Sequence, residues 1–94
     1  MQEDRDINYY IDHVFRKMDL GDFATEIEVE RAYRSLVGPL ISRLTLNVSY
    51  RNGTLVLRLQ GASLKNELRL RRESLRLCIN QSLGREVVKR IVLQ

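Results

Sequence analysis

Apolar residues recur at helical spacing in the first part of the chain. Residues 7–18 place them at i, i+3, i+4, i+7, i+8 and i+11, which predicts an amphipathic helix. After a short predicted loop, "GDFAT", a second apolar stripe over residues 29–40 predicts a second helix, with Thr25 and Glu28 as a capping box. Proline removes a backbone donor and crowds the carbonyl four residues earlier, so we expect a kink or break at Gly38-Pro39.

Strict alternation of apolar and polar residues follows in "LTLNVSYRNGTLVLRLQ", residues 44–60. Asn52-Gly53, at its centre, supplies the two residues of positive φ that a type I′ turn needs, so the segment predicts a β-hairpin. A helical pattern over residues 62–82 ends at Gly84, and the β-branched residues of "EVVKRIVLQ" predict a third strand. We therefore predict an α+β fold in the order α-α-β-β-α-β, with a three-stranded sheet covered on one face by helices.

The charge of the chain is unevenly distributed. The formal net charge is +4, but residues 1–42 carry five basic and nine acidic residues, a net of −4. Residues 43–94 carry eleven basic and three acidic residues, a net of +8. Such asymmetry indicates an anionic partner for the basic half, and the alternative is a mildly basic soluble protein without one.

Four cations on the predicted helix 62–82 form what we call the basic row. Its members, at i, i+4, i+7 and i+11, are Lys65, Arg69, Arg72 and Arg76. On a helix they lie along one edge of the apolar stripe that contains Leu64, Leu68, Leu75, Ile79 and Ser82. Long cationic side chains often flank a core and cover it with their methylenes. The same spacing suits phosphates along a nucleic-acid strand, so the basic row is our predicted nucleic-acid-binding site.

Residues that could carry other chemistry are few. With one cysteine, Cys78, and one histidine, His13, the chain can form neither an internal disulfide nor a zinc finger. We expect Cys78 to be a buried, inert thiol near the apolar stripe and His13 to lie on the surface. No nucleophile pattern or phosphate-binding loop is present. These observations predict a protein that is not an enzyme and has no cofactor, metal or small-molecule substrate.

The length of 94 residues predicts a single domain over residues 1–94. No apolar run approaches the ~18 residues of a membrane span, and the acidic N-terminus lacks the pattern of a signal peptide. A chain with a single cysteine fits a reducing compartment. We therefore expect a cytoplasmic protein that does not contact membranes.

Short motifs spread over most of the chain carry a family resemblance. They are Tyr33, Val37-Gly38, Gly53-Thr54-Leu55, Ala62-Ser63, Glu67-Leu68, and Leu83-Gly84 through Val87 to Ile91. In this order and spacing they resemble the DciA-like family of bacterial proteins, which includes a loader of the replicative helicase. The resemblance implies a KH-like fold, binding to nucleic acid and the replicative helicase as a partner. No two glycines are three residues apart, so the GxxG loop with which KH domains clamp a backbone is absent.

The sequence therefore predicts a small non-enzymatic nucleic-acid-binding protein that acts as an accessory in helicase loading. DNA and RNA both remain candidate ligands. The alternative is a protein-interaction module whose basic face meets an acidic partner protein, without nucleic-acid binding. The edge of the last strand, through Val88, Arg90 and Val92, is where two copies of the chain could pair.

Overall fold

The computed structural model describes residues 20–94, so the helix predicted over residues 7–18 and His13 lie outside the described residues. The described elements are α1 (Leu20–Leu44), β1 (Thr45–Arg51), β2 (Thr54–Leu59), α2 (Ala62–Leu70), α3 (Arg72–Leu83) and β3 (Arg90–Leu93). The strands form one sheet in the order β1-β2-β3, in which β1 is antiparallel and β3 parallel to β2. The predicted α+β fold, with helices on one face of a three-stranded sheet, is confirmed.

Helix α1 begins earlier than the sequence predicts, because its first turns have partners on the sheet. Asp22 Oδ2 accepts a hydrogen bond from the backbone N–H of Asn52 at 3.0 Å, and Glu26 Oε2 accepts one from Tyr50 at 2.9 Å. The two carboxylates are one helical turn apart and reach the amide of Tyr50 in β1 and that of Asn52 in the turn that follows it. The prediction of a loop over residues 21–25, with a helix start at Thr25, was therefore wrong.

The predicted kink in α1 is confirmed at Gly38, whose φ of 86° and ψ of 172° are not helical. The guanidinium of Arg34 connects the two sides of the kink. It donates to the backbone carbonyl of Ser42 at 2.7 Å and to the Ser42 hydroxyl at 3.0 Å, while Glu30 accepts from Arg34 Nε at 3.0 Å. The kink is thus held by side-chain hydrogen bonds as well as by Pro39.

The hairpin forms where the sequence predicts it, with positive φ at both Asn52 and Gly53. The three inward leucines of β2 are buried as predicted: Leu55, Leu57 and Leu59. On β1, however, Leu46 is 53% exposed although its place in the alternation predicts an inward side chain. The register shifts between Thr45 and Asn47, so Thr45 takes the inward position instead.

A pair of buried hydroxyls joins α1 to β1. Thr45 Oγ1 donates to the carbonyl of Ile41 at 2.8 Å and lies 2.7 Å from the hydroxyl oxygen of Tyr33. Because the single Thr45 proton goes to Ile41, the Tyr33 hydroxyl is the donor in the second bond. Burial raises the pKa of Tyr33 above its ordinary 10.0, against a smaller opposite effect of the Thr45 bond. Tyr33 therefore remains a neutral donor at physiological pH.

The single helix predicted over residues 62–82 is two helices, separated at Arg71. The backbone of Arg71 has φ −107° and ψ 12°, and its N–H bonds to the carbonyl of Leu68 at 3.1 Å, a tight i→i−3 turn. Gly84, in the left-handed conformation with φ 74°, ends α3 as predicted.

The predicted apolar stripe on α2 and α3 is largely confirmed. Leu68 and Ile79 are buried, and Leu64 and Leu75 pack against the core while partly exposed, but Ser82 is exposed. The prediction for Cys78 was wrong, since its thiol is exposed. Cys78 lies about 100° around the helix from Ile79 and lines a groove of about 470 Å³ between α1 on one side and α2 and α3 on the other.

Asn80 of α3 makes three hydrogen bonds to the segment before β3, whose carbonyls also accept from Tyr50 and Arg76. Its amide nitrogen donates to the carbonyl of Val88 at 2.9 Å, and its Oδ1 accepts from the N–H groups of Val87 (3.1 Å) and Val88 (2.8 Å). Strand β3 is consequently shorter than predicted and begins only at Arg90. Val88 is fully buried, so its predicted place on a pairing edge was wrong, whereas Arg90 and Val92 are exposed.

Two leucines of α2 provide a matched test of this core. Leu68 is 4% exposed and Leu70 is 83% exposed. Leu68→Ala should lower the free energy of unfolding by roughly 2–5 kcal/mol, because it removes buried methyl groups and leaves a cavity. Leu70→Ala should change it by less than about 0.5 kcal/mol. Urea unfolding followed by circular dichroism checks both values, and equal effects would contradict the packing described.

The Asn80 bonds can be tested with a near-isosteric apolar replacement. Asn80→Leu leaves the buried N–H of Val88 without its partner, at a cost of about 1–3 kcal/mol. The Val87 N–H keeps its bond to the carbonyl of Arg85, and the Val88 carbonyl keeps its bond from Arg76. We expect a loss of about 1–3 kcal/mol in urea unfolding. Asn66→Leu, at an exposed position of α2, is the control and should be nearly neutral. A stable Asn80→Leu protein would show that the loop is held by other contacts.

Candidate nucleic-acid interface

The basic row is divided between the two helices. Lys65 and Arg69 lie one turn apart on α2, whereas Arg72 and Arg76 lie one turn apart on α3. The break at Arg71 separates the pairs, so the four cations do not follow one straight helix as the sequence predicts.

Arg76 is engaged within the protein. Its guanidinium contacts Glu73 Oε2 at 2.6 Å and Glu86 Oε2 at 3.4 Å, and donates to the carbonyl of Val88 at 3.2 Å. The side chain is only 15% exposed. The hydrogen bond from Arg76 lowers the pKa of Glu73, and the charges of Arg76 and Arg72 add to this effect. Arg76 therefore ties α3 to the segment that precedes β3.

The other three members of the basic row have no carboxylate partner within residues 20–94. Arg69 and Arg72 are exposed and Lys65 is half-buried. Among the described residues, Arg69 donates only to the neutral amide of Asn66, at 3.1 Å. Ion pairs within the described part of the chain thus leave three positive charges un-neutralised on consecutive turns of α2 and α3.

Arg71 is different from these three, although it lies between them. Its Nε contacts Glu67 Oε2 at 3.0 Å, one turn earlier, and both side chains are more than half exposed. An exposed i,i+4 pair of this kind contributes little to stability. Glu67 is the only carboxylate on α2, so its pairing with Arg71 engages the one acidic side chain of that helix.

The acidic residues of α1 are mostly used inside the fold. Asp22 and Glu26 accept hydrogen bonds from the backbone amides of Asn52 and Tyr50, Glu30 pairs with Arg34 at 3.0 Å, and Glu28 pairs with Arg85 at 2.7 Å. These carboxylates therefore contact the β-hairpin, α1 itself and the segment that follows α3. None of these four carboxylates neutralises Lys65, Arg69 or Arg72.

Sequence reasoning missed two sets of contacts that shape this surface, those of Asn80 and those of Arg76 with Glu86 and Val88. The bonds from Asn80 to the 87–88 backbone form because the chain after α3 turns back toward that helix. No local sequence pattern predicts this reversal. The pair of Arg76 with Glu73 was visible as an i,i+3 spacing, but its contacts with Glu86 and Val88 also depend on that reversal. The available signal for Asn80 was a polar side chain directly after the buried Ile79, at a position turned toward the core.

Together these features define a small α+β domain with an un-neutralised cationic surface on two consecutive helices. A family model described as "Dna[CI] antecedent, DciA" matches residues 7–93. The chain belongs to the DciA family, a family of helicase loaders rather than enzymes. Membership implies a role like helicase loading in DNA replication, with the replicative helicase as an interaction partner.

Comparisons with curated proteins and with solved structures gave no match. Across residues 20–94, the structure has no helix of sufficient length and apolarity to cross a membrane.

The different surroundings of Arg72 and Arg76 predict different effects on stability. Arg76→Gln removes two ion pairs and a hydrogen bond to Val88, so the midpoint of urea unfolding should fall. Arg72→Gln, which removes the same charge from an exposed side chain, should leave the midpoint nearly unchanged. Equal midpoints for the two variants would contradict a structural role for Arg76.

Proposed function

We propose that this protein is a non-enzymatic nucleic-acid-binding accessory in loading of the replicative helicase, and that Lys65, Arg69 and Arg72 contact phosphates. The observation that carries the proposal is the absence of carboxylate partners for these three cations within residues 20–94. Family membership supports the replication context.

The chemistry of the three side chains suits the nucleic-acid backbone rather than its bases. Arginine grips a phosphate through two parallel N–H···O bonds, and lysine acts as a point charge. Backbone contacts of this kind position a strand without reading its sequence. Because the chain has no GxxG loop to offer backbone amides, side chains supply the phosphate contacts in this proposal.

Arg76, the fourth predicted contact, has a positioning role in the proposal. Its bonds to Glu73, Glu86 and Val88 fix α3 against the chain that leads to β3. Arg72 lies one turn earlier on the same helix, so its backbone is held in place by the contacts of Arg76.

Salt dependence tests the proposal directly. Three phosphate contacts should make log affinity fall linearly with log salt, with a slope of roughly −2 for single strands and about −2.7 for duplex. Arg69→Gln combined with Arg72→Gln should flatten that slope by about 1.4 to 1.8. Fluorescence anisotropy with labelled single- and double-stranded DNA and RNA, at several salt concentrations, measures both slopes and separates the ligand classes.

The matched control replaces two exposed arginines of α1 that lie outside the basic row, as Arg31→Gln with Arg43→Gln. This variant has the same net charge as the test variant, so a general charge effect would flatten both slopes equally. Such an equal effect would contradict a specific role for Arg69 and Arg72. Failure of the parent protein to bind any oligonucleotide would favour the alternative, a module whose basic face meets an acidic protein.

A further inference from the structure

Strand β3 forms one edge of the sheet, since β2 is its only neighbour among the described strands. The N–H groups of Arg90 and Gln94 bond to carbonyls of the hairpin, at 3.1 Å and 2.8 Å. Successive amides of a strand point to opposite sides, so the N–H and C=O groups of Ile91 and Leu93 point away from β2. The outer side of β3 therefore presents two donors and two acceptors to a further strand.

The two cations beside this edge are directed back toward the hairpin. Proteins commonly protect edge strands with lysine side chains, prolines or bulges. Lys89 instead packs over Gly53, where an added β-carbon would lie 3.1 Å from Lys89 Cδ. Arg90 donates a hydrogen bond to the Thr54 hydroxyl on β2. The strand itself, "RIVL", contains no proline, and its register with β2 runs without a bulge. Its outer backbone groups thus lack these forms of protection.

A second copy of β3 matches these groups in an antiparallel pair centred on Val92. In this register Ile91 of each copy lies opposite Leu93 of the other, and each such pair exchanges two hydrogen bonds, so every outward donor and acceptor is bonded. A register centred on Ile91 would instead place Leu93 opposite Lys89, whose N–H already bonds to the hairpin at 2.7 Å. A register centred on Leu93 would place the apolar Val92 opposite the polar Gln94.

The side chains fit the same register. Val92, which is 38% exposed, meets the same valine of the other copy at the centre of the pair. On the core face, the buried Ile91 lies beside the half-buried Leu93 of the other copy. Arg90 lies opposite the neutral amide of Gln94. The two copies of Arg90 are ~13 Å apart along the strands, which exceeds the Debye length of about 8 Å at physiological salt.

We propose that two copies of this protein pair through β3 across a two-fold axis and form one continuous six-stranded sheet. A two-fold interface requires a surface that is complementary to itself, and β3 meets this condition in both its backbone groups and its side chains. Four backbone hydrogen bonds and one pair of exposed valines make a small interface, so the pairing is weak and depends on protein concentration. The inference does not depend on the proposed function.

Sedimentation velocity from micromolar to millimolar protein tests the pairing. The parent protein should approach twice its mass of 11.0 kDa as the concentration rises. Val92→Lys should keep the single-chain mass, because it places two like charges directly opposite each other. The matched control is Val56→Lys, which adds the same charge to the neighbouring position of β2, one strand away from the edge. The control should associate as the parent does.

A charge swap tests the register and guards against loss of folding in a single variant. Val92→Glu alone should also keep the single-chain mass. An equimolar mixture of Val92→Lys and Val92→Glu should restore the doubled mass, because opposite charges then meet at the centre of the pair. A mixture that stays at the single-chain mass would overturn the register centred on Val92.

Hydrogen exchange of the parent protein requires no variant. The amides of Ile91 and Leu93 should exchange more slowly at millimolar than at micromolar concentration, whereas those of Arg90 and Gln94 should change little. A parent that keeps its single-chain mass at millimolar concentration overturns the inference and leaves the edge to a strand of another protein. A dimer that forms equally well with Val92→Lys overturns it too. In either case the proposed function stands, since oligonucleotide binding is measured separately.

Discussion

The amide of Asn80 is the interaction on which the arrangement of this domain most depends. A parallel strand cannot follow β2 directly, so the chain must cross the sheet through α2 and α3 and then reverse. Asn80 fixes that reversal because its donor and its acceptor both bind the 87–88 backbone. Within the same segment, Val88 is fully buried and its carbonyl also accepts from Arg76. These contacts place strand β3 beside β2 in the observed register.

The basic half of the chain serves two different purposes. Three of its arginines are paired within the fold: Arg76 with Glu73 and Glu86, Arg71 with Glu67, and Arg85 with Glu28. Lys65, Arg69 and Arg72 have no such partners among the described residues, although they share the same helices. A count of charges along the sequence cannot separate the two groups. The difference depends on the folded structure, because the chain after α3 turns back toward that helix and brings Glu86 to Arg76.

Features fixed by neighbouring residues were predictable from the sequence. The Asn52-Gly53 turn, the kink at Gly38 and the left-handed Gly84 each follow from the allowed φ of one or two residues. The features that were missed depend on contacts between distant segments. The first turns of α1 are helical because Glu26 and Asp22 bind backbone amides of the hairpin. Leu46 faces outward because the strand register shifts. The same limit applies to the site, since the spacing that defines the basic row was visible but the contact of Arg76 with Glu86 was not.

The carboxylates of Asp22 and Glu26 also decide how the sheet can meet other sheets. A bare edge strand offers a row of amides and carbonyls on which further strands can add, and fibres grow when both edges of a sheet are bare. Here the amides of Tyr50, in β1, and of Asn52, in the turn after it, are already bound by the side chains of α1. A strand that added at this end of β1 would have to displace both carboxylates. The helix thus protects the hairpin end of this edge against strand addition.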